Sequence, residues 1–401
     1  MVFPYPAYWP YVRRGAERCI HDLSTYLARR GHDVHIVTST PGRPRTAYEE
    51  GVKITYLRQL SHPLLYAYAP LIRLTDFSIS ATRVLISERA DAAHLWTYSG
   101  INWAPILRPL IGLPYLLHFM MVHHDLPWRL DRQLFEQYVR KADRVAALTE
   151  WGAGRVTQEY GVPCDVLSPP VDMEIFRPVA EREREHPIVL FTADLADERK
   201  GGTLLLRAWN KVHANRPDAR LVLAGPFGLA GFHQGHFTHT MLGRFRLVRD
   251  PAAREAIELR GPGDVDTLPT WYSQASVTVL PSFDEAFGIV LTESLACGTP
   301  VVSSAQAGPG EIVASDEIGA TVDLGSYWDL QSVNRADELA DAILYALDLS
   351  ERPGTRKACR EWASRWSLDR IGPLEEQMLE QIVDGYAGQS RFSMRPRIDG
   401  S

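Results

Sequence analysis

The spacing of apolar side chains divides the chain into two series of alternating helix and strand. Residues 16–30 place Ile20, Leu23 and Leu27 on one helical face, and Gly31 follows as a stop signal. Residues 34–38 and 52–56 read as short strands, and 92–96, 115–119, 145–148 and 166–167 continue the series. Met1-Val2-Phe3 reads as the last half of a first strand, as if the chain starts inside an element or Met1 is a mis-assigned start. A second series begins at 188–191, with strands at 220–223, 276–280, 299–303 and 320–322. Its helices are predicted at 202–215, 267–274, 288–296 and 336–347. Repeated strand–helix alternation predicts parallel sheets with helices on both faces.

Composition changes abruptly between the two series. Prolines within 168–178, then a Glu/Arg run over 181–187, read as a surface linker. The expected architecture is therefore α/β: two doubly wound, Rossmann-like parallel-sheet domains at 1–180 and 187–368. Ligands of such sheets bind beyond the carboxyl ends of the strands, which predicts a central cleft between facing sheets.

Length and charge narrow the function classes. The 401 residues, 45% hydrophobic and 10% aromatic, are enough for two to three packed domains and argue against disorder. A net charge of −6 without basic stripes argues against a nucleic-acid partner. Cys19, Cys164, Cys297 and Cys359 are far apart, which excludes a zinc ribbon, disfavours a disulfide scaffold and makes a reducing cytoplasm the expected compartment. Prolines replace the apolar core that a signal peptide needs. The longest apolar stretch, 101–122, is interrupted by Asn102, Arg108, prolines and a glycine, and reads as buried strand and helix rather than a membrane span.

The segment 280–302 carries the most chemistry. A strand ends at Leu280, a loop carries Glu285, a helix opens near Gly288, and Gly298 stops it. As helix, the eight residues from Glu285 to Glu293 would span up to about 12 Å, the reach from sugar to ribose in a sugar nucleotide. Backbone N–H groups at Gly288, Ile289 and Val290 would point from the positive end of the helix and suit a pyrophosphate. The plainer alternative is a capped surface helix with incidental acids.

With its surroundings this segment resembles the donor-site motif of family 4 glycosyltransferases of the GT-B fold. Further landmarks follow in order: Arg14-Gly15-Ala16-Glu17-Arg18; Gly31-His32-Asp33-Val34; Ala142-Asp143-Arg144-Val145; Pro169-Pro170-Val171-Asp172 with Phe176-Arg177-Pro178; Arg199-Lys200-Gly201; Leu223-Ala224-Gly225; and Gly308-Pro309-Gly310-Glu311-Ile312-Val313. The resemblance covers nearly the whole chain. It implies a retaining, metal-free transfer of a sugar from a nucleoside diphosphate donor to a hydroxyl acceptor, with no cofactor because the nucleotide sugar is a substrate. It gives Glu285 and Lys200 catalytic roles, at the donor sugar and the diphosphate. Donor binding falls to Gly15, Arg199, Phe287, Gly288, Ile289, Val290 and Glu293, the last at the ribose. The resemblance also supports a last helix, 373–386, crossing back onto the first domain after the Trp362/Trp366 segment.

Two positions depart from the family pattern. Asp194 stands where the family usually has an Arg ahead of Lys200-Gly201, so Arg199 either substitutes for it or the site is altered. Met120 stands where a His is usual near the reaction centre, with His118, His123 and His124 as acceptor-side candidates.

Other signals have bland readings. His233, His236 and His239 fall in a 226–260 insertion that reads as a loop rather than a metal site. The apolar 60–77 stretch reads as a helix packed on the first domain in preference to membrane-surface contact. A dinucleotide-dependent oxidoreductase is rejected because the first half lacks Gly-x-Gly-x-x-Gly. A sugar-nucleotide epimerase or phosphorylase of the same fold, and a catalytically degenerate sugar-nucleotide-binding subunit, stay open, as do the oligomeric state, the donor and the acceptor.

Overall fold

The computed structural model describes residues 1–9, 15–58, 70–97, 112–120, 129–181, 185–195, 197–225, 245–325 and 335–393. The chain forms two units, residues 1–170 with 368–401, and residues 171–367.

In the first unit the elements run β1 (Val2–Pro4), α1 (Gly15–Arg29), β2 (His35–Thr40), β3 (Arg45–Glu49), β4 (Val52–Arg58), α2 (Pro70–Glu88), β5 (Ala93–Trp96), β6 (Tyr115–Phe119), α3 (Arg129–Arg140), β7 (Arg144–Ala147), α4 (Glu150–Tyr160) and β8 (Asp165–Val166). Their sheet has the order β3-β4-β2-β1-β5-β6-β7-β8, and β3 alone is antiparallel to its neighbour. β3 went unforeseen because it is a solvated edge strand without alternation: Arg45, Thr46, Glu49 and even Tyr48 are exposed. β5 and β6 are buried on both faces, as parallel strands between helical layers must be, and read as continuous apolar runs.

The second unit runs β9 (Ile188–Phe191), α5 (Gly202–Asn215), β10 (Arg220–Ala224), α6 (Pro251–Glu255), β11 (Ile257–Arg260), α7 (Leu268–Gln274), β12 (Val277–Leu280), α8 (Ile289–Ala296), β13 (Val301–Ser304), α9 (Ala307–Ile312), β14 (Gly319–Val322), α10 (Ala336–Glu351) and α11 (Thr355–Ala363). Its sheet is wholly parallel, in the order β11-β10-β9-β12-β13-β14. β11 corrects the loop reading of 226–260: only the end of that stretch is described, and there it supplies a helix and the edge strand. Val189, Phe191, Leu221, Leu223, Val277 and Val279 point to one face, under Leu205, Trp209 and Ile343 of the covering helices.

The linker reading needs correction as well. The units divide at 170/171, because 171–180 is fastened to the second unit. Arg360 donates to the carbonyls of Met173 and Phe176, Arg356 donates to that of Ala180, and Phe176 is buried. The last helix, α12 (Leu368–Ser393), begins five residues ahead of the expected Pro373, which lies inside it. Its Ile371, Met378, Leu379 and Ile382 pack into the first unit's core with Ile20, Leu23 and Trp96. Close approach to α1 depends on Gly372, where a Cβ would lie 2.6 Å from the Tyr26 ring. No helix among the described residues is long and apolar enough to cross a membrane.

Candidate active site

Counted within the second unit, the strand order is third, second, first, fourth, fifth, sixth, the doubly wound order that reverses between β9 and β12. Loops leaving those two strands diverge, and the crevice at their carboxyl ends is where such sheets bind ligands. Lys200 follows β9, and Glu285 follows β12. Lys200 Nζ donates to Glu285 Oε2 at 2.5 Å, with the two side chains 26% and 17% exposed. The topology thus joins the two predicted catalytic residues, 85 positions apart, at the switch point.

Both loops are held in place by close backbone contacts. Asp197 caps a single turn of 3-10 helix, Glu198–Lys200, which ends at Gly201 with φ of 73°. A Cβ on Gly201 would lie 1.9 Å from the Pro281 carbonyl oxygen, so only glycine allows the β9 loop this near the β12 loop. The Ser282 hydroxyl and the Phe283 amide both donate to the Arg199 carbonyl. On the other side, a Cβ on Gly308 would lie 2.2 Å from the Ala286 carbonyl oxygen. Ala307 beside it holds φ of 52°, an uncommon conformation for a residue with a side chain.

Arg199 is occupied. Its Nε and Nη2 donate to the two Asp197 carboxylate oxygens at 3.1 and 2.7 Å, and Asp284 lies 3.9 Å away. The Asp197 hydrogen bonds raise the Arg199 pKa, against burial. Burial would raise that of Asp197, but Arg199's hydrogen bonds and charge outweigh it and hold the carboxyl below its ordinary value.

Three expectations about the donor helix change. α8 begins at Ile289, so Glu285 lies outside it and Glu293 is little more than one turn in; the 12 Å helical span does not apply. Gly288 is the N-cap, with φ of 97° and no side-chain cap bond, which leaves the Ile289 and Val290 end of the helix without a side-chain partner at its cap. Glu293 is only 3% exposed, and the Tyr272 hydroxyl donates to its Oε2 at 2.9 Å. Phe287 is buried edge-to-face on Trp366, so its side chain supports the loop from below.

In the first unit Gly15 opens α1, the helix that follows β1. His118 corrects its acceptor-side reading: it is fully buried in β6, stacked beside Trp96. His123, His124, His233, His236 and His239 lie outside the described residues. Met120 is half-buried, and its backbone N–H donates to Thr97 Oγ1.

A family model described as Glycosyl transferases group 1 matches residues 172–366, and one described as Glycosyltransferase Family 4 matches 13–175. A D-inositol 3-phosphate glycosyltransferase of Streptomyces bingchenggensis is 30% identical over 322 residues, 73% of this chain and 67% of that protein. The chain belongs to glycosyltransferase family 4. The enzyme of the same name from Kribbella flavida is 31% identical over 288 residues, 66% of this chain and 63% of that protein. The chain spans about three fifths of the length of the first curated relatives it matches, 63%, 60% and 58%. Among solved structures, sucrose-phosphate synthase from Thermosynechococcus elongatus superposes with a TM-score of 0.73 at 19% identity, over 96% of this chain and 98% of that one. Anabaena HepE in complex with UDP-glucose does so with 0.67 at 16%, over 95% and 99%. The fold of this family 4 member is accordingly GT-B.

Sequence reasoning missed Tyr272, Asp197 and Asp284 in the site. Asp197 was the most legible of them, since Asp-x-x-Lys-Gly ahead of an apolar helical run carries a helix-start signal.

Proposed function

We propose that this family 4 glycosyltransferase transfers a sugar from a nucleoside diphosphate donor to a hydroxyl acceptor, retaining the anomeric configuration and without a metal ion. The observation that carries the reading is the Lys200–Glu285 pair at the switch point of the second unit. Glu285 accepts hydroxyl hydrogens of the donor sugar, and Lys200 moves from Glu285 to the diphosphate as a point charge. When the bond from the anomeric carbon to the phosphate oxygen breaks, positive charge grows on the sugar and negative charge on the leaving group. Lys200 and the open end of α8 stabilise the latter, and the departing phosphate takes the acceptor's proton. Glu293, steadied by Tyr272, binds the ribose through its remaining acceptor capacity.

One observation favours the degenerate-subunit alternative. Asp194, Asp197, Asp284 and Glu285 outnumber Arg199 and Lys200 by two formal charges, and Arg199 is committed to Asp197. The test is a panel of UDP-, ADP-, GDP- and dTDP-sugars with the purified chain, with and without chelator. D-inositol 3-phosphate joins the acceptor panel because the relatives carry that name. Nucleoside diphosphate release and an anomer of unchanged configuration by NMR support the proposal. Binding without turnover selects the degenerate subunit, epimer formation or phosphate-dependent cleavage selects the epimerase or phosphorylase, and loss of turnover on chelation removes the metal-free clause.

A further inference from the structure

Three ionisable groups lie fully buried in the first unit, outside the chemistry proposed for the second. Glu375 of α12 faces His94 of β5, with Oε1 2.6 Å from Nδ1, and His94 Nε2 lies 3.2 Å from Nδ1 of His118 on β6. Trp96 stacks on both imidazoles, at 4.2 and 4.7 Å between ring centres. Glu375 Oε2 and His118 Nε2 end the row without a hydrogen bond.

Each of the two contacts needs one proton, and two arrangements with uncharged imidazoles supply them; passing the carboxyl proton on to His94 Nδ1 gives an ion pair with the same proton count as the first. In the first, Glu375 is protonated and donates to His94, whose own N–H on Nε2 donates to His118. In the second the carboxyl has lost its proton, and both bonds reverse: His118 Nδ1 donates to His94, and His94 Nδ1 donates to the carboxylate. The second arrangement leaves one negative charge in the core. Among the described residues no cation meets it: the buried Cys19 thiol of α1 is the other titratable group facing Glu375, while β1 offers Phe3. The Leu167 backbone acts on His118 alone, and the next residue of α12, Glu376, turns to His32 and Arg30. A buried charge left uncompensated is strongly unfavourable, so the neutral arrangement is the docked one.

The geometry points to a proton latch: one proton held by the Glu375–His94–His118 row fastens α12 to the first unit, and losing it releases the helix. Burial pushes the Glu375 carboxyl up to about 8 and His94 down to about 3, in the sense that keeps the row neutral. The chain passes between the units at 170/171 and 367/368, and α12 begins at the second passage. Docking of α12 therefore decides whether that passage is anchored on the first unit.

Hydrogen-exchange mass spectrometry of peptides across 368–386, corrected for intrinsic exchange, tests the latch in the full chain. Between pH 6.5 and 8 the opening equilibrium of α12 rises several-fold in all, at most about tenfold per pH unit. Glu375→Gln, whose amide donates to His94 and does not titrate, abolishes that rise. Equal pH dependence in the two proteins, or unchanged wild-type protection, overturns the proposal. Should Glu375→Gln fail to fold, 15N-histidine NMR of the wild type decides. His94 must stay a neutral imidazole with its proton on Nε2 below the transition, whereas ordinary titration of both imidazoles near 6.5 overturns the latch.

Discussion

Glu285 and Glu375 are each held by one basic side chain at about hydrogen-bond distance, yet their surroundings give them opposite characters. Glu285 meets a lysine between two loops, where both side chains keep contact with solvent. Glu375 meets an imidazole inside packed strands and helix, with neither side chain exposed. A pair that keeps contact with solvent is worth less than a sealed one, because water and salt partly screen it. It can therefore open at small cost when a substrate offers both partners better contacts. A buried pair has no such alternative, so it fixes structure and answers only to protons. On the proposed reading the second unit's pair is open to exchange with a substrate, while the first unit's row serves attachment.

The largest effect expected from this contrast is on stability. His94→Ala leaves the neutral Glu375 carboxyl buried without its acceptor and a cavity in place of a fully buried ring, and lowers unfolding free energy by about 3–5 kcal/mol, measured by chemical denaturation near pH 6.5. Lys200→Ala, by comparison, should lower it by less than about 1 kcal/mol. Equal losses in the two variants would erase the distinction.

Turnover should respond in the reverse sense. Once a donor is known, Lys200→Ala and Glu285→Gln should each lower kcat by about 10²–10³, or about 2.7–4 kcal/mol, with Tm nearly unchanged. Glu285→Gln should also blur selection among donor sugars. Turnover at the wild-type rate in both variants would remove the pair from the chemistry.

The two regions should also differ in their response to pH. Glu375 binds its proton up to about 8 in the folded chain, against an ordinary 4.5, so it takes stability away as pH rises through that interval. His94 is pushed from 6.5 down to about 3, and burial lowers His118 as well, so the unfolded chain binds more protons below 6.5 and stability rises toward that pH. Above 6.5 the histidines contribute little, and Glu375 lowers stability up to about 8, by about 1–2 kcal/mol. Denaturant midpoints at pH 6.5 and 8 measure the difference, which Glu375→Gln should remove.

What was legible in the sequence follows the same division. The strands at 115–119 and 188–191 and the helix at 202–215 fall at their predicted limits, because parallel strands and their covering helices must be apolar where they are buried. Lys200 and Glu285 each drew a role from the family resemblance of the segment around it, but their contact, 85 positions apart, comes from the topology. The Glu375–His94 contact joins residues 281 apart, and no local pattern announces it. One trace existed: Glu375 interrupts the apolar stripe Ile371, Met378, Leu379 and Ile382 on the buried face of α12. A glutamate in that position asks for a buried partner. Reading His118 as an acceptor-side group overlooked that β6 is buried on both faces.

Glu293 stands between the two extremes, and the smallest effect sharpens its place. It is buried like Glu375, but its partner is a hydroxyl, Tyr272, which also lies 3.3 Å from Thr192 Oγ1. Tyr272→Phe removes one donor and no charge, so it should cost about 1–2 kcal/mol of stability. If Glu293 serves the ribose, the loosened carboxyl weakens donor binding in ground and transition states alike. Donor KM then rises several-fold while kcat holds. Glu293→Gln should raise KM further, because the amide offers one acceptor oxygen where the carboxylate offers two. Unchanged KM in both variants, with the stability loss intact, would place Glu293 with Glu375 as a structural carboxyl. A fall in kcat at constant KM would instead move it beside Glu285, among the groups whose contacts strengthen as the sugar leaves.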